Sequence, residues 1–224
     1  MPVGANRAGI VSQVGDAIPD SELLQNRYDA RELSLNDGDT INPFTDLKGD
    51  TDLDETGAPQ YDADAINSKA GSSYDGSKDN HFVTFSSVSQ PFVWAWVMDI
   101  RSVADNDNEF YIDDESIKLG TRVLNNQGEW QMADGDRNTN GGAISTGNKI
   151  VVAVFDGSSS KLRVNGSDEI TLSTSDSNGG LMFAGLSNGG NNAPISIGEF
   201  LLYDGSPTVG DIESYLSNKW GIPI

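Results

Sequence analysis

Oxygen-bearing side chains are concentrated in two short segments near the middle of the chain. Asp105 and Asp107 alternate with asparagines in the first, and Asp134, Asp136 and Asn138 follow one another at intervals of two in the second. Carboxylate and amide oxygens on a loop are the ligands that calcium prefers. Asp105 and Asp107 are therefore candidate calcium ligands. Neither segment completes an EF-hand loop. Acidic segments of this kind more often form solvated loops than metal sites.

The second segment lies close to an aromatic residue, Trp130, and this combination is typical of sugar binding. Carbohydrate sites use an aromatic ring together with a few amide and carboxylate groups, carried on loops at the end of a scaffold. The candidate site consists of Trp130, Asp134, Asp136, Asn138, Asn140 and Asn191. A tryptophan is more often a core residue than an exposed platform, so both interpretations of Trp130 stay open.

The evidence for catalysis is weaker. Glycoside hydrolysis needs two carboxyl groups roughly 5–9.5 Å apart. Glu109, Asp113 and Glu115 share strand parity, and residues two apart on a strand are separated by about 6.6 Å. With 34 acidic residues, chance proximity is expected. The lone histidine, His81, has no serine or cysteine motif to accompany it. We therefore predict no catalytic residues and keep an endo-acting glycoside hydrolase as an alternative.

The charge of the chain excludes some functions. The 224 residues carry 34 acidic and 14 basic side chains, a net charge of −20. Such a surface repels nucleic-acid phosphate. Its self-repulsion destabilises a compact state in ordinary salt, whereas at molar salt the Debye length falls to about 3 Å. We therefore expect a high-salt environment. The sequence has no cysteine, so disulfides and thiolate metal sites are excluded, and no apolar run is long enough to span a membrane.

The elements that must position these residues are predicted to be strands. Residues 92–99 are apolar on both faces until Asp99, which indicates a central strand covered on both sides and places Trp94 and Trp96 in the core. Asn165 and Gly166 are typical of a tight hairpin turn. The acidic residues 46–64, interrupted by glycine and proline, are predicted to form a long surface loop. About a dozen such short strands favour a sandwich or jelly roll.

One helix is predicted at the end of this all-β chain. Ile212, Leu216 and Trp220 recur every four residues, which predicts an amphipathic helix that packs against the sandwich. Ser206 or Thr208 is expected to cap its first turn, and a glycine follows its last.

Four segments follow one another along the chain: an opening strand and turn (28–33 and 36–39), a Tyr-Asp-Gly-Ser-Lys-Asp segment (74–79), a strand pair (151–155 and 162–166), and a closing strand and helix (199–203 and 212–222). In this order they resemble the laminin-G-like and concanavalin A-like lectin/glucanase jelly rolls. The resemblance covers about residues 20–224. It implies an all-β, concanavalin A-like jelly-roll sandwich of two antiparallel sheets with one short C-terminal helix. The predicted domains are an extended arm, residues 1–17, and the jelly roll, residues 18–224.

The arm and the charge lead to a functional hypothesis. The arm has no signal-peptide pattern and resembles the starts of some phage tail and virion proteins. We expect a non-enzymatic virion component of a halophilic virus, in capsid decoration, a turret or the tail. Its arm would bind other virion proteins, it would form a homo-oligomer, and its lectin-like domain would bind host-surface glycan. The alternative is a secreted or cell-surface carbohydrate-binding module of a halophile.

Overall fold

The computed structural model describes residues 17–56, 59–74, 80–83, 88–103, 109–113, 119–124, 128–134, 137–174, 181–183 and 194–224. These residues form fifteen strands, two 3₁₀ turns (Ala30–Glu32 and Gly157–Ser159) and one α-helix, α1 (Val209–Trp220). The strands are β1 (Leu24–Asp29), β2 (Asp54–Thr56), β3 (Gln60–Ile66), β4 (Lys69–Tyr74), β5 (Asn80–Val83), β6 (Phe92–Ile100), β7 (Glu109–Asp113), β8 (Leu119–Leu124), β9 (Glu129–Asp134), β10 (Arg137–Ala143), β11 (Gly147–Phe155), β12 (Ser160–Val164), β13 (Ser167–Leu172), β14 (Leu181–Phe183) and β15 (Ile195–Asp204).

The strands form two antiparallel sheets. The larger sheet has eight strands in the order β13-β12-β11-β6-β15-β4-β3, and β1 pairs with the second half of β15. The smaller sheet has seven strands in the order β10-β9-β8-β7-β14-β5-β2. The predicted all-β architecture of two antiparallel sheets with one short C-terminal helix is therefore confirmed.

The larger sheet is covered on both faces around its central strand. On β6, Trp94 and Trp96 point into the core between the sheets, whereas Val93, Ala95 and Val97 belong to a second core under the helix. All five side chains are at most 1% exposed. The continuous apolar run of this strand follows from its two apolar environments, as the sequence predicts.

The helix packs through the predicted stripe, because Ile212, Leu216 and Trp220 are all buried. Its expected side-chain cap is wrong. Thr208 is the N-cap residue but its hydroxyl caps nothing, and the Thr208 N–H instead donates to Asp20 Oδ2 at 2.6 Å. The helix ends at Gly221, whose φ of +68° suits glycine. Among the described residues, no helix is long and apolar enough to cross a membrane.

Two local predictions have opposite outcomes. The hairpin turn between β12 and β13 is confirmed, since Asn165 and Gly166 both have the positive φ angles, +46° and +79°, of a tight hairpin turn. The surface loop predicted over residues 46–64 is wrong, because β2 and the first part of β3 lie within it. At its start, Asp46 is buried and accepts hydrogen bonds from the N–H groups of Arg27, Lys48 and Gly49, each at 3.0 Å.

Candidate functional site

A row of polar side chains crosses the larger sheet on the face that carries the helix. Residues that are opposite one another in register point to the same face of a sheet. The register aligns five polar residues across five strands, and we call them the polar row: Asn148 on β11, Asp99 on β6, Ser196 on β15, Ser73 on β4 and Gln60 on β3. Asp99 follows Val97, the last residue of β6 in the core under α1, by two positions. The polar row therefore lies where the apolar surface under the helix ends.

The row ends at a pocket on the edge of the sheet. There, residues 36–40 run beside β3, held by hydrogen bonds from Gly38 N to Tyr61 O and from Tyr61 N to Asp39 O, both 2.8 Å. The pocket has a volume of about 250 Å³. We call it the edge pocket, and it is lined by Asp37, Gly38, Gln60, Tyr61, Asp62 and Ser73. It is smaller than the roughly 300–1,000 Å³ typical of sites for drug-sized ligands, which suits a single small polar unit.

Several polar groups of the edge pocket are available for a ligand. Asp37 Oδ1 accepts the Ala63 N–H and Asp62 Oδ1 accepts the Asp64 N–H, each at 3.0 Å. Within the described part of the chain, the second oxygen of each carboxylate and the exposed amide of Gln60 have no hydrogen-bond partner. The ring of Tyr61 packs against the core between the sheets. The pocket thus offers carboxylate and amide groups rather than an aromatic platform.

The middle of the polar row contains an unsatisfied hydroxyl. Ser196 is 1% exposed, and its Oγ has no hydrogen-bond partner among the described residues. Its neighbour Ser73 accepts a hydrogen bond from Arg101 Nη1 at 2.8 Å. Arg101 also donates to Ile195 O at 2.8 Å and to Tyr74 O. The guanidinium is therefore fixed beside the edge pocket by three acceptors.

The carboxylates of this region influence one another. Burial raises the pKa of Asp99, the charges of Arg101 and Lys149 oppose that rise, and the negative charge of Asp62 adds to it. Burial likewise lowers the pKa of Lys149, and Asp99 opposes that change. Asp62, in the edge pocket, and Asp99, in the polar row, are thus part of one electrostatic environment.

The same face of the sheet holds a second polar region, which lies under the helix. Glu199 on β15 is fully buried. Its Oε1 accepts hydrogen bonds from Arg27 Nε (3.0 Å), Tyr215 OH (3.1 Å) and Lys219 Nζ (2.6 Å), and its Oε2 accepts one from Trp220 Nε1 (3.0 Å). Four donors from β1 and α1 therefore meet on one carboxylate.

Asp29, at the end of β1, completes this region. It is 1% exposed and binds the guanidinium groups of Arg27 and Arg31 and the Lys219 ammonium, at 2.7–3.1 Å. Burial alone would raise the pKa of Asp29, yet hydrogen bonds and charges from Arg31 and Lys219 hold it below its usual value. We call these five residues the charge network: Arg27, Asp29, Arg31, Glu199 and Lys219. Because each carboxylate is saturated by protein donors, the network joins the helix to the sheet and offers no site for a ligand.

The sugar site predicted from the sequence is not assembled in the described residues. Trp130 is 2% exposed and lies in the core between the sheets, so the prediction of an exposed platform is wrong. Asn140 pairs in register with Gln131, the neighbour of Trp130, and its side chain bonds those of Gln131 and Glu129. Successive residues of a strand point to opposite faces, so Trp130 and Asn140 lie on opposite sides of the smaller sheet.

The other predicted ligands are only partly described. Asp134 ends β9, and Asn138 lies near the start of the paired strand β10. Asp136 and Asn191 lie outside the described residues, as do Asp105 and Asp107, so the calcium site stays a prediction. In the part of the chain that is described, no group of three or more histidine, aspartate or glutamate side chains could hold a metal ion.

Sequence reasoning missed the edge pocket, although β3 carries a signal. Gln60, Asp62 and Asp64 alternate with Tyr61, Ala63 and Ala65, which is the period of a strand with one polar face. That alternation would have identified β3 and its polar side. The contribution of Ser73 depends on how β3 pairs with β4, which alternation alone does not reveal.

The chain resembles known proteins in its fold alone. No protein-family model matches it, and neither does any curated protein. Its fold is similar to that of Trypanosoma rangeli sialidase in complex with sialic acid, at 12% identity and a TM-score of 0.64, over 91% of this chain and 34% of that one. The chain therefore spans about a third of the sialidase.

Two further structures are also similar in fold. Domain 4 of AbnA, a GH43 extracellular arabinanase from Geobacillus stearothermophilus in complex with arabinotriose, matches at 14% identity with a TM-score of 0.60, over 86% of this chain and 97% of that one. The binding domain of botulinum neurotoxin serotype C1 matches at 11% identity and 0.60, over 88% and 52%. At these identities the likeness establishes the fold, a β-sandwich of the jelly-roll type, and two of these structures hold a carbohydrate.

Proposed function

We propose that this protein binds a carbohydrate, without cleaving it, through the edge pocket and the adjoining polar row. The observation that carries the proposal is the set of oxygen and amide groups of Asp37, Gln60 and Asp62 that no described residue binds, at a sheet edge around a space of about 250 Å³. Sugar hydroxyls both donate and accept hydrogen bonds, so such a set matches one sugar unit.

The structural likenesses support the same class of ligand. The domain bound to arabinotriose is matched over 97% of its length by 86% of this chain, so nearly the whole of that domain has a counterpart here. A shared fold does not transfer a binding site, since function resides in the site rather than the scaffold. The likeness to structures that hold a sugar supports a carbohydrate as the class of ligand, and the proposed location rests on the pocket residues alone.

Binding of arabinotriose, measured by calorimetry, tests the proposal. Gln60→Ala and Asp62→Asn should each weaken binding about three- to tenfold, as expected for the loss of one hydrogen bond. Gln25→Ala and Asp204→Asn change the same residue types at exposed positions elsewhere and should leave the affinity unchanged. If arabinotriose and a broad glycan array give no binding, or if the pocket variants bind like the controls, the proposal is wrong.

The endo-glycosidase alternative places its chemistry elsewhere. Its candidate Asp113 ends β7 in the smaller sheet, whereas the edge pocket lies on the larger sheet, and Glu115 lies outside the described residues. We expect no release of reducing ends from arabinan or glucan in high salt. Cleavage by the unmodified protein that is lost in Asp113→Asn would establish the enzyme instead.

The proposed setting is an extracellular assembly in a high-salt environment, such as the particle of a halophilic virus. It is supported by the net charge of −20 and by the composition of residues 1–17. The free energy of unfolding should rise between about 0.1 M and 3 M KCl, because screening relieves the self-repulsion. Deletion of residues 1–17 should abolish incorporation into the particle. Unchanged incorporation would contradict the docking role, and a secreted binding module would then be favoured.

A further inference from the structure

The charges around the edge pocket indicate which class of sugar it binds, and this inference rests on the proposed function. We infer that the site selects sugars by charge: it takes an amino-bearing sugar in preference to a neutral one and excludes anionic sugars such as sialic acid. The inference concerns the class of ligand, so it can fail while carbohydrate binding itself stands.

The lining of the pocket is acidic. Asp37 and Asp62 each present one carboxylate oxygen that no described residue binds. Asp39 and Asp64 follow each of them by two positions, and Asp99 lies close enough to Asp62 for the two charges to interact. A ligand carboxylate placed here would face several like charges at short range, which is unfavourable.

The nearby cations, Arg101 and Lys149, are outnumbered by these carboxylates, and both already donate to neutral acceptors. Arg101 donates to Ser73 Oγ and to two backbone carbonyls, so a ligand carboxylate would have to compete with three existing hydrogen bonds. Lys149 Nζ donates to Ser145 Oγ at 3.0 Å and to Thr146 O at 3.3 Å, on the far side of Asp99 from the pocket. Neither cation therefore presents a free fork to a ligand in the pocket.

An ammonium group satisfies what the pocket leaves open. It carries three donors and no acceptor, and the unpaired oxygens of Asp37 and Asp62 are acceptors only. A neutral hydroxyl can bind the same oxygens, but it brings no positive charge to balance the two carboxylates. The expected order of affinity is amino sugar, then neutral sugar, then anionic sugar.

The net charge of −20 would produce the same order without any specific site, and the experiment must separate the two causes. At 1 M salt the Debye length is about 3 Å, so charges that do not touch the ligand are screened. A preference that survives at 1 M salt therefore originates in direct contacts.

The test measures the binding affinity of three trisaccharides by calorimetry, at about 0.1 M and 1 M NaCl. They are the trimer of glucosamine, the trimer of N-acetylglucosamine, and sialyllactose. At 1 M NaCl we expect glucosamine to bind at least about fivefold more tightly than its acetylated counterpart, and sialyllactose not to bind measurably. The double variant Asp37→Asn/Asp62→Asn should abolish the preference. Asp204→Asn/Asp211→Asn makes the same change in net charge at exposed positions outside the pocket and should retain it.

The outcomes distinguish the two proposals. If none of these sugars nor arabinotriose binds, the proposed function fails. If sugars bind but sialyllactose equals the others, or the preference disappears equally in both double variants or at 1 M salt, the function stands and charge selection is overturned. Thermal unfolding of each variant verifies that the fold is intact, and both substitutions retain the Oδ1 acceptor that holds the local backbone.

Discussion

One face of the larger sheet holds carboxylates in two opposite environments. Under α1, Glu199 and Asp29 are buried and accept hydrogen bonds from every side. Beyond the helix, Asp99 and Asp62 lie half-buried, and Asp62 has an oxygen that no described residue binds. A carboxylate that a helix covers has to be saturated with hydrogen-bond donors, because it is removed from water. A carboxylate on the uncovered part of the sheet can keep an acceptor oxygen for a ligand.

The distribution of cations explains the difference. The chain has only 14 basic residues, and three of them, Arg27, Arg31 and Lys219, converge on the two carboxylates of the charge network. Arg31 also lies over the ring of Trp220, 5.0 Å from its centroid, which extends the contact to the helix end. In a chain with few cations, this concentration leaves the edge pocket acidic.

The largest expected effect is that of removing the central carboxylate of the charge network. Glu199→Ala leaves Arg27, Tyr215 and Trp220 with buried or half-buried donors that lack their acceptor. Loss of one partner from a buried ionic site costs about 3–5 kcal/mol, and we expect the free energy of unfolding to fall by that amount. Urea denaturation measures it.

The matched control is Glu32→Ala, an exposed glutamate that follows β1. It should change stability by less than about 0.5 kcal/mol. If Glu199→Ala were as mild as this control, the buried carboxylate would not be what joins the helix to the sheet.

A smaller effect is expected where the helix end meets the sheet. A Cβ on Gly198 would lie 2.4–2.9 Å from atoms of the Trp220 ring, so Gly198→Ala overpacks the contact and should destabilise the protein by about 1–3 kcal/mol. Gly210→Ala adds a methyl group in open space within α1 and should stabilise by up to about 1 kcal/mol. Opposite signs in thermal unfolding would confirm that Gly198 is required by packing. A stabilising Gly198→Ala would show that the indole can shift freely.

The sequence predicts the part of the larger sheet under α1 better than it predicts the edge pocket and the polar row. The apolar runs of β6 and α1 identify the covered part of the sheet, because hydrophobic periodicity is a local property. The polar row joins Gln60, Ser73, Asp99, Asn148 and Ser196, which come together only through cross-strand register. For Trp130 the sequence leaves two interpretations open, because the acidic segment that follows it favours a sugar site and its residue type favours the core, where the structure places it. The edge pocket is missed for the same reason that β3 is missed. In residues 46–64 the glycine, proline and acidic residues predict a loop and outweigh the alternation of β3.

The pH dependence of stability should separate the two regions by sign. The pKa of Asp29 is lowered below its ordinary value of 3.8, so its contribution to stability is present above pH 3.8 and is lost as the pH falls through the lowered value. The pKa of Asp99 is raised, so its unfavourable contribution appears as the pH rises from 3.8 through the raised value. Urea denaturation from pH 3 to 7 should show a shallower acid-side loss for Asp29→Asn. Asp99→Asn should gain stability relative to the unmodified protein only at the upper end of this range. Equal profiles for both variants would contradict the distinction.

The smallest effect on stability, and the one that most sharpens the comparison, is expected at the edge pocket. Gln60 is exposed and its amide binds no described residue, so Gln60→Ala should change the free energy of unfolding by less than about 0.5 kcal/mol. Because the same amide is available to a sugar hydroxyl, arabinotriose affinity should nevertheless fall. A loss of stability similar to that of Gly198→Ala would mean that Gln60 supports the fold. An unchanged stability with a weakened affinity separates a residue kept for a ligand from residues, such as Glu199, that the fold requires.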